Sequence, residues 1–161
     1  MSIKLRKIKK SDLSLFLKWW KDKDLIALTS GNLVEPDENL PKYFLAMLES
    51  KKDHHYVIQL EGKSLGHIAL MHKDLDTFEI TIVIGEKEYW NQGIGTKAIK
   101  TALRLGFGKL GYTKGCLEVR PENTRAIKVY EACGFVKKGL KKYPKNKNQP
   151  ITLKMVHSLS I

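Results

Sequence analysis

The sequence predicts an α/β domain built on a mixed sheet, with the element order β-α-α-β-β-β-α-β-α-β-β. Three observations carry that prediction. Residues 56–60, 66–70 and 78–84 are three apolar, β-branched stretches in succession with no helical pattern between them, so they read as neighbouring antiparallel strands. After Gly93 and Gly95 the apolar period switches from two to about 3.6. The last third then runs helix, strand, helix, strand, strand. A run of strands followed by this alternation is a mixed sheet and not a plain doubly wound one.

Each element has its own local reason. Ile3, Leu5 and Ile8 mark a first strand, and Ser11 and Asp12 are placed to cap a helix whose apolar side is Leu13, Phe16, Leu17 and Trp20. Thr29-Ser30-Gly31-Asn32 and Pro36 read as a loop. A second helix over about 39–48 carries Tyr43, Phe44, Met47 and Leu48 on one side. Tyr56-Val57-Ile58-Gln59-Leu60 and Gly66-His67-Ile68-Ala69-Leu70 flank Glu61-Gly62-Lys63, the pattern of a β-hairpin. In the third strand of this run Phe78, Ile80, Ile82 and Ile84 face one way, and Glu79, Thr81 and Val83 face the other. A long helix over about 95–110 sets Ile99, Leu103, Phe107 and Leu110 in a stripe, with Gly111 closing it. Cys116-Leu117-Glu118-Val119 is another strand. Asn123 or Thr124 caps a short helix bearing Ile127, Tyr130 and Cys133, ended by Gly134. Phe135-Val136 and residues 151–156 supply the last two strands.

Composition narrows the class. The 161 residues contain no repeat or Pro/Gly-rich linker, so one domain is expected over residues 1–161. A hydrophobic content of 42% is enough for a sizeable core and excludes a disordered chain. Lysine and arginine number 29 against 17 acidic residues, a net charge of +12. That excess suits a polyanion: nucleic acid, an anionic membrane surface or a phosphorylated small molecule. Cys116 and Cys133 make no disulfide framework, and no Cys/His cluster has metal-ligand spacing, so no metal is expected. The first six residues alternate in character, unlike a signal peptide, and no stretch approaches the roughly 18 apolar residues of a membrane span. These features point to a cytoplasmic protein with no membrane partner.

The segment Trp90-Asn91-Gln92-Gly93-Ile94-Gly95-Thr96 lies between a strand and a helix. A helix start carries N–H groups without intrahelical partners at the positive end of its dipole. Glycines there let a phosphate approach the backbone. A Rossmann reading is met only in part, because Ala98 holds the third glycine position and antiparallel strands precede the segment. A P-loop needs Gly-Lys-Ser/Thr, an order that Gly95-Thr96-Lys97 reverses. A glycine loop without a ligand is the plain alternative.

Two blocks then resemble one family. Trp90-Asn91-Gln92-Gly93-Ile94-Gly95 resembles the cofactor signature Q/R-x-x-G-x-G/A of the GNAT acetyltransferases. Some thirty residues on, Asn123-Thr124-Arg125-Ala126-Ile127-Lys128-Val129-Tyr130-Glu131-Ala132-Cys133-Gly134-Phe135 resembles its second block, N-x-x-A-x-x-x-Y-x-x-x-G-F. The likeness runs over residues 79–135, and the element order extends it along nearly the whole chain. One position departs: Trp90 stands where Gln or Arg is usual, a variant similar to the branch of ribosomal-protein N-terminal and spermidine acetyltransferases.

The resemblance implies the GNAT-type acyl-CoA N-acyltransferase fold and acetyl-CoA as cosubstrate. It implies that the N–H groups of Gln92, Gly93, Ile94, Gly95 and Thr96 hold the pyrophosphate. The pantetheine arm is expected to pair with the strand edge at Ile82, Val83 and Ile84, an N–H of Val83 or Ile84 polarising the thioester carbonyl. Asn123 is expected to bond the pantetheine amides, and Tyr130 to protonate the departing thiolate. An aromatic at that helical spacing also reads as core.

The attacking amine is mostly protonated at neutral pH and must lose a proton, for which Glu79 is the candidate base. Its plain reading is a polar residue on a half-exposed strand face. His67, on a neighbouring strand, stands in reserve. Lys97, Lys100, Arg125 and Lys128 lie where a CoA 3′-phosphate could be met, and Lys128 is carried forward, though each also reads as a solvated helix face. Lys137-Lys138, Lys141-Lys142, Lys145 and Lys147 cluster near the last hairpin.

The acceptor is open between a small-molecule amine and a protein N-terminus. Acidic residues are sparse apart from Glu35, Asp37, Glu38 and the Asp74/Asp76 turn, which disfavours a polyamine or aminoglycoside. Trp19-Trp20 and the 29–38 loop are the expected specificity wall. A homodimer stays open. The competing class is a basic nucleic-acid-binding domain on the same scaffold, against which no helix-turn-helix, RNP or zinc motif appears.

Overall fold

The computed structural model describes residues 2–28, 37–145 and 150–159. The predicted loop at Thr29-Ser30-Gly31-Asn32 and Pro36, the acceptor wall assigned to it, and Glu35 and Lys147 lie outside the described residues.

Seven strands form one sheet in the order β1-β2-β3-β4-β5-β7-β6. They are β1 (Ile3–Lys7), β2 (His54–Leu60), β3 (Lys63–His72), β4 (Thr77–Ile84), β5 (Lys114–Val119), β6 (Val136–Lys142) and β7 (Ile151–Ser158). β1 to β4 are antiparallel, β4 and β5 are parallel, and β5, β7 and β6 are antiparallel again. The mixed sheet follows the sequence prediction, and the crossover that makes β4 and β5 parallel is helix α4 (Ile94–Phe107).

The remaining helices are α1 (Leu13–Trp20), α2 (Lys23–Leu28), α3 (Leu40–Glu49) and α5 (Thr124–Ala132). α2 is an addition to the predicted order. Asp22 starts it, accepting the Asp24 N–H at 3.0 Å and the Leu25 N–H at 3.4 Å.

Two hydrophobic layers cover the sheet. α4 and α5 bring Ile94, Ala98, Ile99, Ala102, Leu103 and Ile127 against Phe78, Ile80, Leu117 and Met155. α4 lies close to β4 because Gly106 has no side chain: a Cβ there would fall 2.5 Å from the Phe78 ring. On the other face, Phe16, Trp19, Leu25, Phe44 and Met47 pack on Val57. The buried residues of α1 are therefore Phe16 and Trp19, with Leu17 and Trp20 only half-buried. Trp19 reaches the sheet through Gly85, whose Cβ would lie 2.3 Å from its indole. Tyr43, predicted with the apolar side of its helix, is half exposed and packs edge-on to Trp20 at 5.4 Å.

Asp12 does not cap α1 with its side chain. It accepts the Lys9 N–H at 2.8 Å and takes both arms of the Arg6 guanidinium at 3.0 and 2.9 Å, tying β1 to the helix start.

Candidate active site

β4 and β5 pair over only three positions, Thr77 with Lys114, Phe78 with Gly115 and Glu79 with Cys116. Beyond Glu79 they part. β4 stays in register with β3 as far as Ile84, while β5 pairs with β7 as far as Val119. The gap is the mouth of a cleft of about 800 Å³, lined by residues from β4, the 89–96 turn, β5 and α5. A pocket of that size suits a cofactor-sized ligand.

The unpaired edge of β4 faces into this gap. The Gly85 N–H donates to the Leu65 carbonyl at 2.8 Å on the β3 side. Alternation along an antiparallel ladder then turns the N–H groups of Ile84 and Ile82 to the opposite edge, and that of Val83 toward β3. Ile82, Val83 and Ile84 all line the cleft.

At one end of the gap α4 begins. Gly93, its N-cap, has φ of 77°, and Asn91 has φ of 66°, so the chain makes a tight left-handed approach before the first turn. No side chain caps α4. The leading N–H groups of the helix are left for an outside acceptor. A Cβ built on Gly93 or on Gly95 meets no atom within 4 Å, and both glycines line the cleft beside Ile94 and Thr96. This donor set fits a pyrophosphate: open backbone amides, a helix dipole and nothing in the way.

Gln92 is turned outward, its side-chain amide donating to the Glu88 carbonyl at 2.8 Å, and it does not line the cleft. Lys128 also lies outside the lining, on the exposed side of α5. Arg120 and Arg125 line it instead. The sequence reading missed Arg120, which directly follows β5. Trp90, where the family pattern breaks, bonds the strand: its indole N–H donates to the Ile84 carbonyl at 2.8 Å. The unusual side chain thus fastens the turn before α4 to the end of β4.

Asn123 caps α5, its side-chain oxygen accepting the Ala126 N–H at 3.2 Å, and still lines the cleft. Tyr130 lines the same wall, packed edge-on to Phe135 with ring centroids 6.2 Å apart. Burial pushes its phenol up to about 12, with the nearby Cys133 adding to the rise. Tyr130 is a neutral O–H donor at every working pH.

The other side of the cleft holds what the sequence did not reveal. Glu79 and Glu118 occupy the same face of adjacent strands, within hydrogen-bond reach of each other. Burial pushes the Glu79 carboxyl up; Lys73, 3.8 Å away, offsets this in part, and the Glu118 charge adds to it. Burial also acts upward on Glu118, but hydrogen bonds from Thr152 and Tyr143 overcome it and hold that carboxyl below its ordinary range. Thr152 donates to Glu118 Oε1 at 2.6 Å and Tyr143 to the same oxygen at 2.5 Å. Glu118 was legible only as an acid inside an apolar strand, a signal worth reading.

His67 lines the cleft too, its ring 4.8 Å from Phe16 and its Nε2 3.1 Å from His55 Nδ1. Burial drives its imidazole down to about 3, with His55 adding to the fall, so it is neutral and a poor base. Trp19 turns its indole N–H to Glu86 at 3.4 Å and is not part of the cleft lining, nor is Trp20; Leu25 of α2 takes the place on that wall expected of them.

Comparison with known proteins gives the family and the fold. The family model of the acetyltransferase (GNAT) domain matches residues 2–136. The chain belongs to the GNAT acetyltransferase family, and it is an enzyme of that class. It is 26% identical over 143 residues to the spermidine N(1)-acetyltransferase of Escherichia coli K12, across 86% of this chain and 75% of that protein. It is 24% identical over 152 residues to the aminoglycoside N(6')-acetyltransferase type 1 of Klebsiella pneumoniae, across 86% and 76%. Among solved structures, the spermidine N-acetyltransferase of Vibrio cholerae in complex with CoA and spermine shares the fold with a TM-score of 0.85, at 21% identity and over 97% of this chain and 95% of that one. AAC(6')-Ib in complex with ribostamycin and coenzyme A does so at 0.84, with 21% identity over 98% and 94%.

Proposed function

We propose that this protein transfers the acetyl group of acetyl-CoA to a primary amine of a small cationic acceptor, by direct attack with both substrates bound. One observation carries the reading. A single cleft is lined by the uncapped start of α4, by Arg120 and Arg125, and by the half-buried carboxylate pair Glu79 and Glu118.

The amides of residues 92–96, with Gly93 and Gly95 giving access, are suited to the pyrophosphate. Arg120 and Arg125 are better placed than Lys128 for the outer phosphate. The free edge of β4 would pair with the pantetheine arm, and the N–H of Ile84 or Ile82 would polarise the thioester carbonyl. Tyr130 would offer its O–H to the sulfur as the C–S bond breaks. Glu79 would take the proton of the attacking amine, its raised pKa narrowing the gap to an ammonium. Neither cysteine invites a covalent acetyl-enzyme: burial is the main cause that pushes both thiols up and keeps them protonated.

The acceptor reading reverses the expectation from composition. The chain as a whole is basic, yet the acceptor side of its cleft presents Glu79 and Glu118. A polyamine or an aminoglycoside, the acceptor types of the relatives named above, meets that charge better than a peptide N-terminus does. Release of CoA thiol, assayed with spermidine, an aminoglycoside and an uncharged peptide bearing a free N-terminus, tests this. Saturable turnover is expected with at least one of the two polycations and at least tenfold lower kcat/KM with the peptide. Preference for the peptide would overturn the acceptor assignment.

A further inference from the structure

We propose that Tyr143, on the connection between β6 and β7, is a positioning residue that fixes the shared negative charge of the Glu79–Glu118 pair on Glu118, leaving Glu79 as the member that exchanges a proton. This rests on Glu79 being the base.

The observation behind it is the path of the β6–β7 hairpin. β6 is exposed along its whole length, as a sheet edge whose far side is unpaired. At its end Tyr143 turns back. Its N–H donates to the Pro150 carbonyl at 2.6 Å, and its hydroxyl enters the cleft to reach Glu118. Thr152 of β7 donates to the same carboxylate oxygen. Two hydroxyl donors converge on Oε1 of one carboxylate, and none of the described hydroxyls bonds Glu79.

Two carboxyl groups in contact cannot both ionise without cost, so the pair holds a proton over a range of pH, and its location depends on which member is better solvated by donors. Here the donors are all on Glu118. The charges facing the pair do not reverse this. Lys73, directly after β3, acts on both carboxyls, and so does Lys141 of β6, which sits over the Tyr143 ring at 5.1 Å; Lys154 of β7 stands opposite Glu118 in the ladder and favours the charge there. Cys116 of β5 faces Glu79 as a neutral thiol, and His67 of β3 is a neutral imidazole. Glu79 therefore carries the proton at acidic pH. It is the member that can accept one from the acceptor nitrogen when deprotonated, while Glu118 stays anionic beside it.

The test is the pH profile of kcat/KM for the amine in the wild type, Tyr143→Phe, Thr152→Val and Glu79→Gln, with acetyl-CoA affinity followed by calorimetry. Removing a donor from Glu118 lets the proton settle there, which frees Glu79 at lower pH. Tyr143→Phe should move the acidic limb downward by about half a pH unit or more and raise the amine KM several-fold, with acetyl-CoA affinity unchanged. Thr152→Val should act in the same direction and stands in should Tyr143→Phe not fold. If Glu79→Gln removes the limb but neither hydroxyl variant moves it, the role of Tyr143 is refuted and Glu79 keeps its own. If Glu79→Gln retains the limb, the base assignment fails and this inference with it.

Discussion

Tyr130 and Glu79 are both displaced from their ordinary proton affinities, and in each burial is the main cause, but the consequences differ. Tyr130 holds its proton to about 12, so it contributes no basic limb to activity in the usual assay range. Its replacement by phenylalanine keeps the ring packed on Phe135 and removes only the donor. We expect kcat to fall by about a hundredfold while the acetyl-CoA affinity stays within about twofold, as measured by steady-state kinetics and calorimetry. In its proposed role as base Glu79 must be a carboxylate, and its pKa is raised, so the form that accepts a proton is lost as pH falls through a value above the usual carboxylate range. The acidic limb of kcat/KM should lie above about pH 4.3, with activity dropping about tenfold per unit below it, and Glu79→Gln should abolish that limb. A profile flat through that region in the wild type would contradict the assignment.

The chemistry depends on elements held at fixed positions. α4 is drawn onto β4 through Gly106 and Phe78, and Trp90 fastens the turn before α4 to the last residue of the strand, so the leading amides of α4 and the free strand edge keep one geometry. Away from the cleft, Asp12 ties β1 to α1 with a two-armed bond to Arg6. Burial raises the Asp12 carboxyl, but the Arg6 and Lys9 hydrogen bonds outweigh it and leave the pKa depressed. The linkage sign is then fixed: the stabilisation is present at neutral pH and is lost as pH falls below the usual carboxylate range. Asp12→Asn should cost about 1–3 kcal/mol at pH 7, read from urea unfolding, with the difference shrinking in acid. The elements themselves were largely legible, because the period of apolar residues marks β4 and α4 plainly and the glycines at 93 and 95 sit between them. α2 was not, since six residues behind an aspartate cap carry too little periodicity to show. The carboxylate pair was hidden for a different reason. Glu79 and Glu118 are brought together by the parallel β4–β5 register, and no local pattern encodes that register. Tyr143 and Thr152 join them only through the return of β7 beside β5.

At the scale of the whole molecule, charge and site oppose each other. A net charge of +12 drew attention to polyanions, and the lysines of β6 remain exposed on the sheet edge. Lysine on an open strand edge also blocks edge-to-edge association, so it needs no nucleic-acid partner to explain it. The cleft is organised differently, lined both by the amide donors at the start of α4 with Arg120 and Arg125, and by the carboxylates Glu79 of β4 and Glu118 of β5, which we propose serve acetyl-CoA and the amine respectively. The central proposal is that acetyl-CoA lies on the backbone of residues 92–96. Calorimetric titration of acetyl-CoA into the wild type and into Gly95→Leu tests it most directly, because a Cβ at residue 95 meets no atom within 4 Å and the residue lines the cleft. Saturable binding by the wild type, weakened at least tenfold in a variant that unfolds at the same temperature, is the predicted result. Equal affinity in the two proteins, or no saturable binding to the wild type, would contradict it.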